Sequence, residues 1–164
     1  MKKILILIIL GVAVSSCRKE NVPSQKIEQV LNIYVKNSTG KDLLNPKDST
    51  NYISVSAVDL NADIDGVQVP LNIMQNDSIY FLQYIAGARR ILKDSLSKDE
   101  KTYSSDIVLS FNKNVNQQLV STTDTLGLEY FWSPSMFRLS DVKLNNVSLK
   151  KGKSGNPTEV VIVK

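Results

Sequence analysis

Histidine is absent from this chain of 164 residues, and cysteine occurs only once. Without histidine the chain lacks the commonest general base, the commonest metal ligand and the usual partner of a nucleophilic serine. A single cysteine also excludes the usual zinc sites, which take several ligands from cysteine and histidine. We therefore predict a protein that is not an enzyme and that holds no cofactor.

The one cysteine, Cys17, also excludes a framework of structural disulfides. Charge is nearly balanced, with 20 lysines and arginines against 16 aspartates and glutamates, a net of +4. Two of the lysines, Lys2 and Lys3, lie in a leader segment, so the rest of the chain carries a net of +2. No basic stripe is interleaved with aromatic residues, and we predict no binding to nucleic acid.

The first seventeen residues have the layout of a secretory signal. A basic start, Met1-Lys2-Lys3, precedes an apolar run over residues 4–14. Gly11 interrupts that run, which is shorter than the roughly 20 apolar residues needed for a helix that spans a membrane. The layout therefore predicts an exported protein.

The end of the leader, Val14-Ser15-Ser16-Cys17, resembles the lipobox of bacterial lipoproteins. The resemblance implies a diacylglyceryl thioether on Cys17, cleavage before it, and acylation of the new amino terminus, for example with palmitate. The membrane is then a partner through this covalent lipid. We accordingly expect a signal peptide over residues 1–16, the lipidated cysteine and a polar tether over residues 17–26, and one domain over residues 27–164.

The residues after the cysteine bear on sorting. Arg18 stands where the enterobacterial rule has aspartate for retention in the inner membrane, so we expect the outer membrane. The leader also resembles those of Bacteroidetes lipoproteins, in which an acidic run after the cysteine directs export to the cell surface. Here that stretch holds one acid, Glu20. The periplasmic face and the cell-surface face both stay open.

Beyond the tether the apolar pattern has a period of two, which is the period of β-strands. Turn signals such as Ser38-Thr39-Gly40 separate the periodic segments. We predict an all-β domain built as a single antiparallel β-sandwich. Residues 88–101 fit either a helix or a strand followed by a loop. The predicted strands cover residues 31–36, 53–58, 67–71, 78–85, 103–111, 125–132, 137–144 and 158–163.

Two segments resemble parts of small Bacteroidetes lipoproteins of unknown function. One covers residues 35–46, and the other covers residues 141–146 and is followed by a closing strand over residues 158–163. The resemblance implies an immunoglobulin-like or transthyretin-like sandwich. It implies no catalytic residues.

An aromatic cluster contains the best candidates for a binding site. The only tryptophan, Trp132, lies close in sequence to Tyr130 and Phe137. These three rings suit a platform for stacking on a sugar ring or a peptide. Large aromatic residues are also the usual filling of a core, and that alternative is favoured for the cluster as a whole.

Asn61, Asp63 and Asp65 stand at alternate positions before Gly66, as in the first half of a calcium loop. Position twelve of that loop is Asn72, which lacks the bidentate carboxylate of glutamate. The alternative is a tight hairpin, because Asp-Gly is a preferred pair in two-residue turns. We favour the hairpin and predict no resident metal.

Four segments match the O-glycosylation sequon of Bacteroidetes exported proteins, in which Asp precedes Ser or Thr and then an aliphatic residue or Thr. The candidate acceptors are Ser49, Ser78, Ser95 and Thr125. The alternative is that Asp-Ser and Asp-Thr begin turns and strands by bonding to their own backbone.

These features predict a non-catalytic outer-membrane lipoprotein that binds or scaffolds an envelope or extracellular component, such as a polysaccharide or a protein. Two alternatives stay open. One is a small carboxylate-dependent hydrolase using Glu129 and Glu159, which would have to face each other across a cleft at about 5–9 Å. The other is a structural subunit of a surface assembly, in which an exposed edge strand adds to a partner strand.

Overall fold

A computed structural model describes residues 24–153 and 156–164, so the leader, Cys17 and most of the tether lie outside the described residues. Within those ranges the chain forms strands and loops, and no helix is long and apolar enough to cross a membrane. The described strands are β1 (Lys26–Glu28), β2 (Leu31–Lys36), β3 (Ser54–Asp59), β4 (Asn72–Asn76), β5 (Ile79–Tyr84), β6 (Ile91–Ser97), β7 (Glu100–Val115), β8 (Gln118–Ser133), β9 (Met136–Leu144), β10 (Val147–Ser148), β11 (Lys151–Lys153) and β12 (Thr158–Val163).

The described strands form two sheets, and the fold is all-β and consistent with a β-sandwich. Sheet A has the order β1-β9-β8-β7-β3, with β10 also pairing with β9 and β6 also pairing with β7. Sheet B has the order β11-β12-β2-β5-β4. The pairings are antiparallel except for β1 with β9 and β12 with β2, which are parallel.

One hydrophobic core lies between the sheets, because alternate residues of the central strands point inward. Sheet B contributes inward residues such as Ile33 and Ile162, and sheet A contributes residues such as Leu109 and Leu128, all fully buried. A bulge in β9 shifts its register between Leu139 and Asp141. The inward-facing residues of β9 therefore have odd numbers before the bulge, such as Leu139, and even numbers after it, such as Val142.

The two longest strands make sheet A overhang sheet B. Strands β7 and β8 each have 16 residues, or about 50 Å, whereas those of sheet B have at most six. In their middle sections every second residue is buried, and their ends are partly or fully exposed. At each end, inward-facing side chains of sheet A therefore lie beyond the cover of sheet B.

The structure settles three details of the predicted strands. Residues 88–101 hold β6, a two-residue turn and the start of β7, so the strand alternative is right. The predicted strand over residues 67–71 is wrong, because Gln68 makes only an isolated bridge to Val58. The tight hairpin at Asp65-Gly66 is wrong too, since a loop over residues 60–66 leads from β3 to that bridge.

Candidate functional site

The overhanging end of sheet A carries the aromatic cluster. Tyr130 is fully buried and stacks on Phe137, with ring centroids 5.3 Å apart and planes inclined by 14°. Trp132 is the next inward-facing residue of β8 and is the cross-strand neighbour of Phe137 on β9. It lies at the overhang and is only half-buried. Tyr130 is thus a core residue, whereas Trp132 is available to a ligand.

An open groove of about 380 Å³ lies at this end. Strand β1 borders it because its parallel pairing places Ile27 beside Phe137. The size falls within the usual range for small-molecule sites. The lining residues are Gln25, Ile27, Gln29, Arg90, Tyr103, Trp132 and Phe137.

Arg90 organises the groove. Its guanidinium carbon lies 4.6 Å from the ring centroid of Phe137 and 5.1 Å from that of Tyr130. Its Nη2 donates a hydrogen bond to Oε1 of Gln29 at 2.7 Å. A guanidinium has five N–H donors, so further donors remain for a ligand. Burial, followed by the neighbouring Tyr84, raises the pKa of Tyr130, which stays neutral.

Two more polar groups of the groove have unused hydrogen-bonding capacity. Within the described part of the chain, neither the indole N–H of Trp132 nor the hydroxyl of Tyr103 has a hydrogen-bond partner. Lys101 places its Nζ 5.2 Å from the centroid of the Trp132 ring. The groove therefore combines partly exposed aromatic surface with donors and a cationic rim.

Sequence reasoning named Trp132 and Phe137 but missed Arg90, Tyr103, Gln25 and Gln29. Tyr103 begins the predicted strand over residues 103–111, and its inward direction follows from the period of two. Arg90 lies in the loop before β6, and the two glutamines flank β1. No local sequence pattern predicts that the three-residue strand β1 pairs with β9. The position of the two glutamines in the groove therefore could not be predicted from the sequence.

A second concavity, of about 230 Å³, lies on the outer face of sheet A. Gly127 forms its floor between Asp106 on β7 and Lys143 on β9. A Cβ on Gly127 would come within 3.3 Å of the Asp106 carboxylate. Glu129 lies beside this floor.

Glu129 is held by two lysines. It accepts hydrogen bonds from Nζ of Lys143 at 2.6 Å and from Nζ of Lys93 at 2.5 Å. These bonds hold the pKa of Glu129 below its usual range, which suits a structural anion and not a general acid. Glu159 lies on the outer face of sheet B, as the buried neighbours Thr158 and Val160 show. Glu129 and Glu159 therefore do not face each other across a cleft.

The three calcium candidates lie in the loop over residues 60–66. Asp63 forms an ion pair with Nη1 of Arg89 and is mostly exposed. Buried Asp59 stabilises the start of the loop, because its carboxylate accepts from the backbone N–H of Asn61 at 2.8 Å and from that of Arg89 at 2.6 Å. In residues 24–153 and 156–164, no group of three or more acidic, histidine or cysteine side chains is placed to hold a metal ion.

The four candidate glycosylation sites differ in exposure. Ser49, Ser78 and Ser95 are exposed, and the first two lie in turns. Thr125 is half-buried on the interior strand β8. Asp48, before Ser49, accepts from the backbone and hydroxyl of Thr50, as expected for a turn-forming aspartate. A hydrogen bond from Lys41, together with those from Thr50, lowers the pKa of Asp48 to about 2.

Use of these sequons stays a prediction, and so does lipidation, because Cys17 lies outside the described residues. Comparison of the chain with protein-family models, with curated proteins and with solved structures found no match.

Proposed function

We propose that the chain is a non-catalytic lipoprotein of the outer membrane whose β-sandwich binds a glycan of the envelope or extracellular space in the groove at Trp132. The observation that carries the proposal is that two half-buried aromatic side chains, Trp132 and Tyr103, line the same open groove as the N–H donors of Arg90. Sugar rings present both an apolar face and a rim of hydroxyls. Aromatic rings complement the first and N–H groups the second.

The size of the groove favours a glycan over a folded protein. A volume of about 380 Å³ lies in the usual range for the binding of a small ligand or of a short segment of a chain. A protein partner would need about 800 Å² of contact on each side. The groove is also open, which suits a segment within a longer polysaccharide.

The position of the groove fits a tethered receptor. Gln25 lines the groove and follows Cys17 by only eight residues. A fully extended tether of that length spans at most about 28 Å. With Cys17 lipidated, the groove would therefore lie close to the membrane surface, where envelope polysaccharides are anchored.

The single tryptophan provides a direct test. Because Trp132 is the only tryptophan of the chain, its fluorescence reports on the groove alone. We expect a saturable change in emission when the detergent-solubilised full-length protein is titrated with a panel of neutral and acetamido oligosaccharides of four to six units. Calorimetry should show at least a tenfold loss of affinity in Trp132→Ala, or about 1.4 kcal/mol.

Phe131→Ala is the matched control. Phe131 is the neighbouring aromatic residue on β8, also half-buried, but it faces outward, where Arg138 lies 5.5 Å from its ring centroid. This variant should bind the oligosaccharide with unchanged affinity. Constant emission across the whole panel would remove the glycan from the proposal. A change seen only with extracted envelope proteins would replace it by a protein ligand.

A further inference from the structure

Strand β4 is an unprotected edge of sheet B. All five of its residues, Asn72–Asn76, are exposed, and its only strand contacts in the described chain are with β5. An edge strand of this kind presents unpaired N–H and C=O groups, which form a template for another strand. The sequence of β4, Asn-Ile-Met-Gln-Asn, contains no charge and no proline.

The other edges of the two sheets carry the devices that prevent strand addition. Charged residues lie on β1, β6 and β11, and β6 and β11 also have irregular register. The edge of β3 is occupied by backbone bonds with residues 67 and 69. Strand β10 has only two residues. Residues 118–124 of β8 also lack a partner on the side of β9 in the described chain, but they belong to an inner strand of sheet A. Among the described strands that end a sheet order, β4 alone combines five residues with an edge free of charge, of irregular register and of backbone partners.

We propose that β4 pairs antiparallel with β4 of a second copy of this chain, about a two-fold axis through Met74. The sequence is close to a palindrome, so this register places Asn72 opposite Asn76 and Ile73 opposite Gln75, while Met74 faces itself. No charged residue opposes another within the pair. A two-fold interface uses the same patch on both subunits, and β4 is complementary to itself.

The backbone geometry suits the same register. Asn76 and Ile79 close the two-residue turn of the β4–β5 hairpin, and hydrogen-bonded and non-hydrogen-bonded pairs alternate from there. By this alternation the backbone groups of Asn72, Met74 and Asn76 point to β5, whereas those of Ile73 and Gln75 point to the bare edge. Ile73 and Gln75 would then exchange two hydrogen bonds with their counterparts on each side of the axis.

A row of apolar side chains crosses the outer face of sheet B and ends at β4. This row favours a second copy of the chain, which carries the same row, over a strand of another protein as the partner of β4. Val161 pairs with Tyr34, the Tyr34 and Phe81 ring centroids lie 5.4 Å apart, and Phe81 pairs with Met74. The row therefore ends at the bare edge with Met74, which is 43% exposed. Pairing about Met74 joins the rows of both copies into one apolar band across the combined sheet.

Cysteine cross-linking in the full-length protein tests this pairing. In a non-hydrogen-bonded antiparallel pair the Cα atoms lie about 4.5 Å apart, within the range that a disulfide spans. We expect Met74→Cys to form a disulfide-linked dimer on mild oxidation at micromolar concentration. Wild type provides the background for any unmodified Cys17.

Ile79→Cys is the matched control, because Ile79 is 44% exposed on the same face but lies on β5. Across the proposed axis two such residues are separated by three strand spacings and by four residues along the strands, about 20 Å in all, too far for a disulfide. We expect at least tenfold less dimer from Ile79→Cys than from Met74→Cys. Equal dimer from the two variants would overturn the proposal.

A second variant combines Ile73→Pro with Met74→Cys, and its proline removes an N–H that points to the bare edge. We expect this variant to form no disulfide-linked dimer, while its circular dichroism spectrum stays that of a β protein. Ile73→Lys should act in the same way through charge, should the proline variant fail to fold. Cross-linking of Met74→Cys to a foreign protein alone would overturn pairing between copies. The test does not involve the groove, so its outcome is independent of glycan binding.

Discussion

At the scale of single residues, Gly87 shows how tightly the loop before β6 is packed. Its φ of +130° lies in a region that other residues rarely adopt, and a Cβ there would come within 2.7 Å of Cδ of Pro70. Both the conformation and the contact require glycine. The loop that positions Arg90 in the groove thus requires a glycine, which has no side chain, three residues earlier.

Gly87→Ala should lower the free energy of unfolding by about 1–3 kcal/mol, through backbone strain together with the clash at Pro70. Denaturant unfolding of the detergent-solubilised protein measures the change. Gly66→Ala separates the two causes, since Gly66 has a φ of +78° but no atom within 4 Å of its Cβ position. An equal loss in both variants would mean that the contact with Pro70 contributes nothing.

Residue identity predicted the site only in part. Trp132 was recognisable because it is the sole tryptophan and lies among other aromatic residues. Tyr130 has the same alternation and the same neighbours, yet it is core. The difference is set by where sheet B ends above sheet A, and this depends on the relative lengths of strands that are far apart in sequence.

At the scale of elements, the outer face of sheet A is tied across its strands by ion pairs. Glu129 on β8 bonds to Lys93 on β6 and to Lys143 on β9, so one carboxylate links strands on both of its sides. Its pKa is lowered by those bonds, and the pKa of Lys143 is raised by the bond to Glu129. The Glu129 side chain is 26% exposed, which limits screening by solvent.

These pKa directions predict how stability depends on pH. The pKa of Glu129 is lower in the folded state than in the unfolded state, so its contribution is present above pH about 4.3 and is lost as the pH falls through the folded pKa. Glu129→Gln should therefore unfold about 1 kcal/mol more easily at pH 7, with the deficit shrinking toward pH 3. Denaturant unfolding at the two pH values gives the comparison.

Glu100→Gln serves as the control, because Glu100 is exposed and forms no ion pair with any described residue. It should match wild type at both pH values. A deficit of Glu129→Gln that is undiminished at pH 3 would assign the effect to packing and not to charge.

The strands differ in how well the local sequence predicts them. Strands β2 and β12 were predicted to the residue, since β2 alternates between inward apolar and outward residues, β12 is rich in β-branched residues, and turn residues lie next to both. The ends of β7 and β8 were missed, because polar residues over positions 112–124 hide a hairpin that turns at Asn116 and Gln117, both with positive φ. Strand β4 was missed because an exposed edge strand has little apolar pattern to detect.

At the scale of the whole molecule, the groove and the bare edge belong to different sheets. The groove lies at the overhanging end of sheet A, whereas β4 is the terminal strand of sheet B. A molecule that pairs through β4 would keep its groove open. Two grooves would then be carried by one dimer, which would increase the avidity for the proposed polysaccharide ligand through effective concentration.

The predicted lipid on Cys17 would hold both the groove and β4 at the outer membrane, and this attachment can be tested independently of the groove and of β4. Metabolic labelling with a clickable palmitate should mark the wild-type protein, and Cys17→Ala should abolish the label and release the protein from the membrane fraction, because a lipid chain is then missing from the only cysteine. Lys3→Arg, which keeps the charge of the leader and leaves residues 14–17 unchanged, controls for changes in the leader itself. Label that persists in Cys17→Ala would move the acylation elsewhere and would leave the tether, and the nearness of the groove to the membrane, without support.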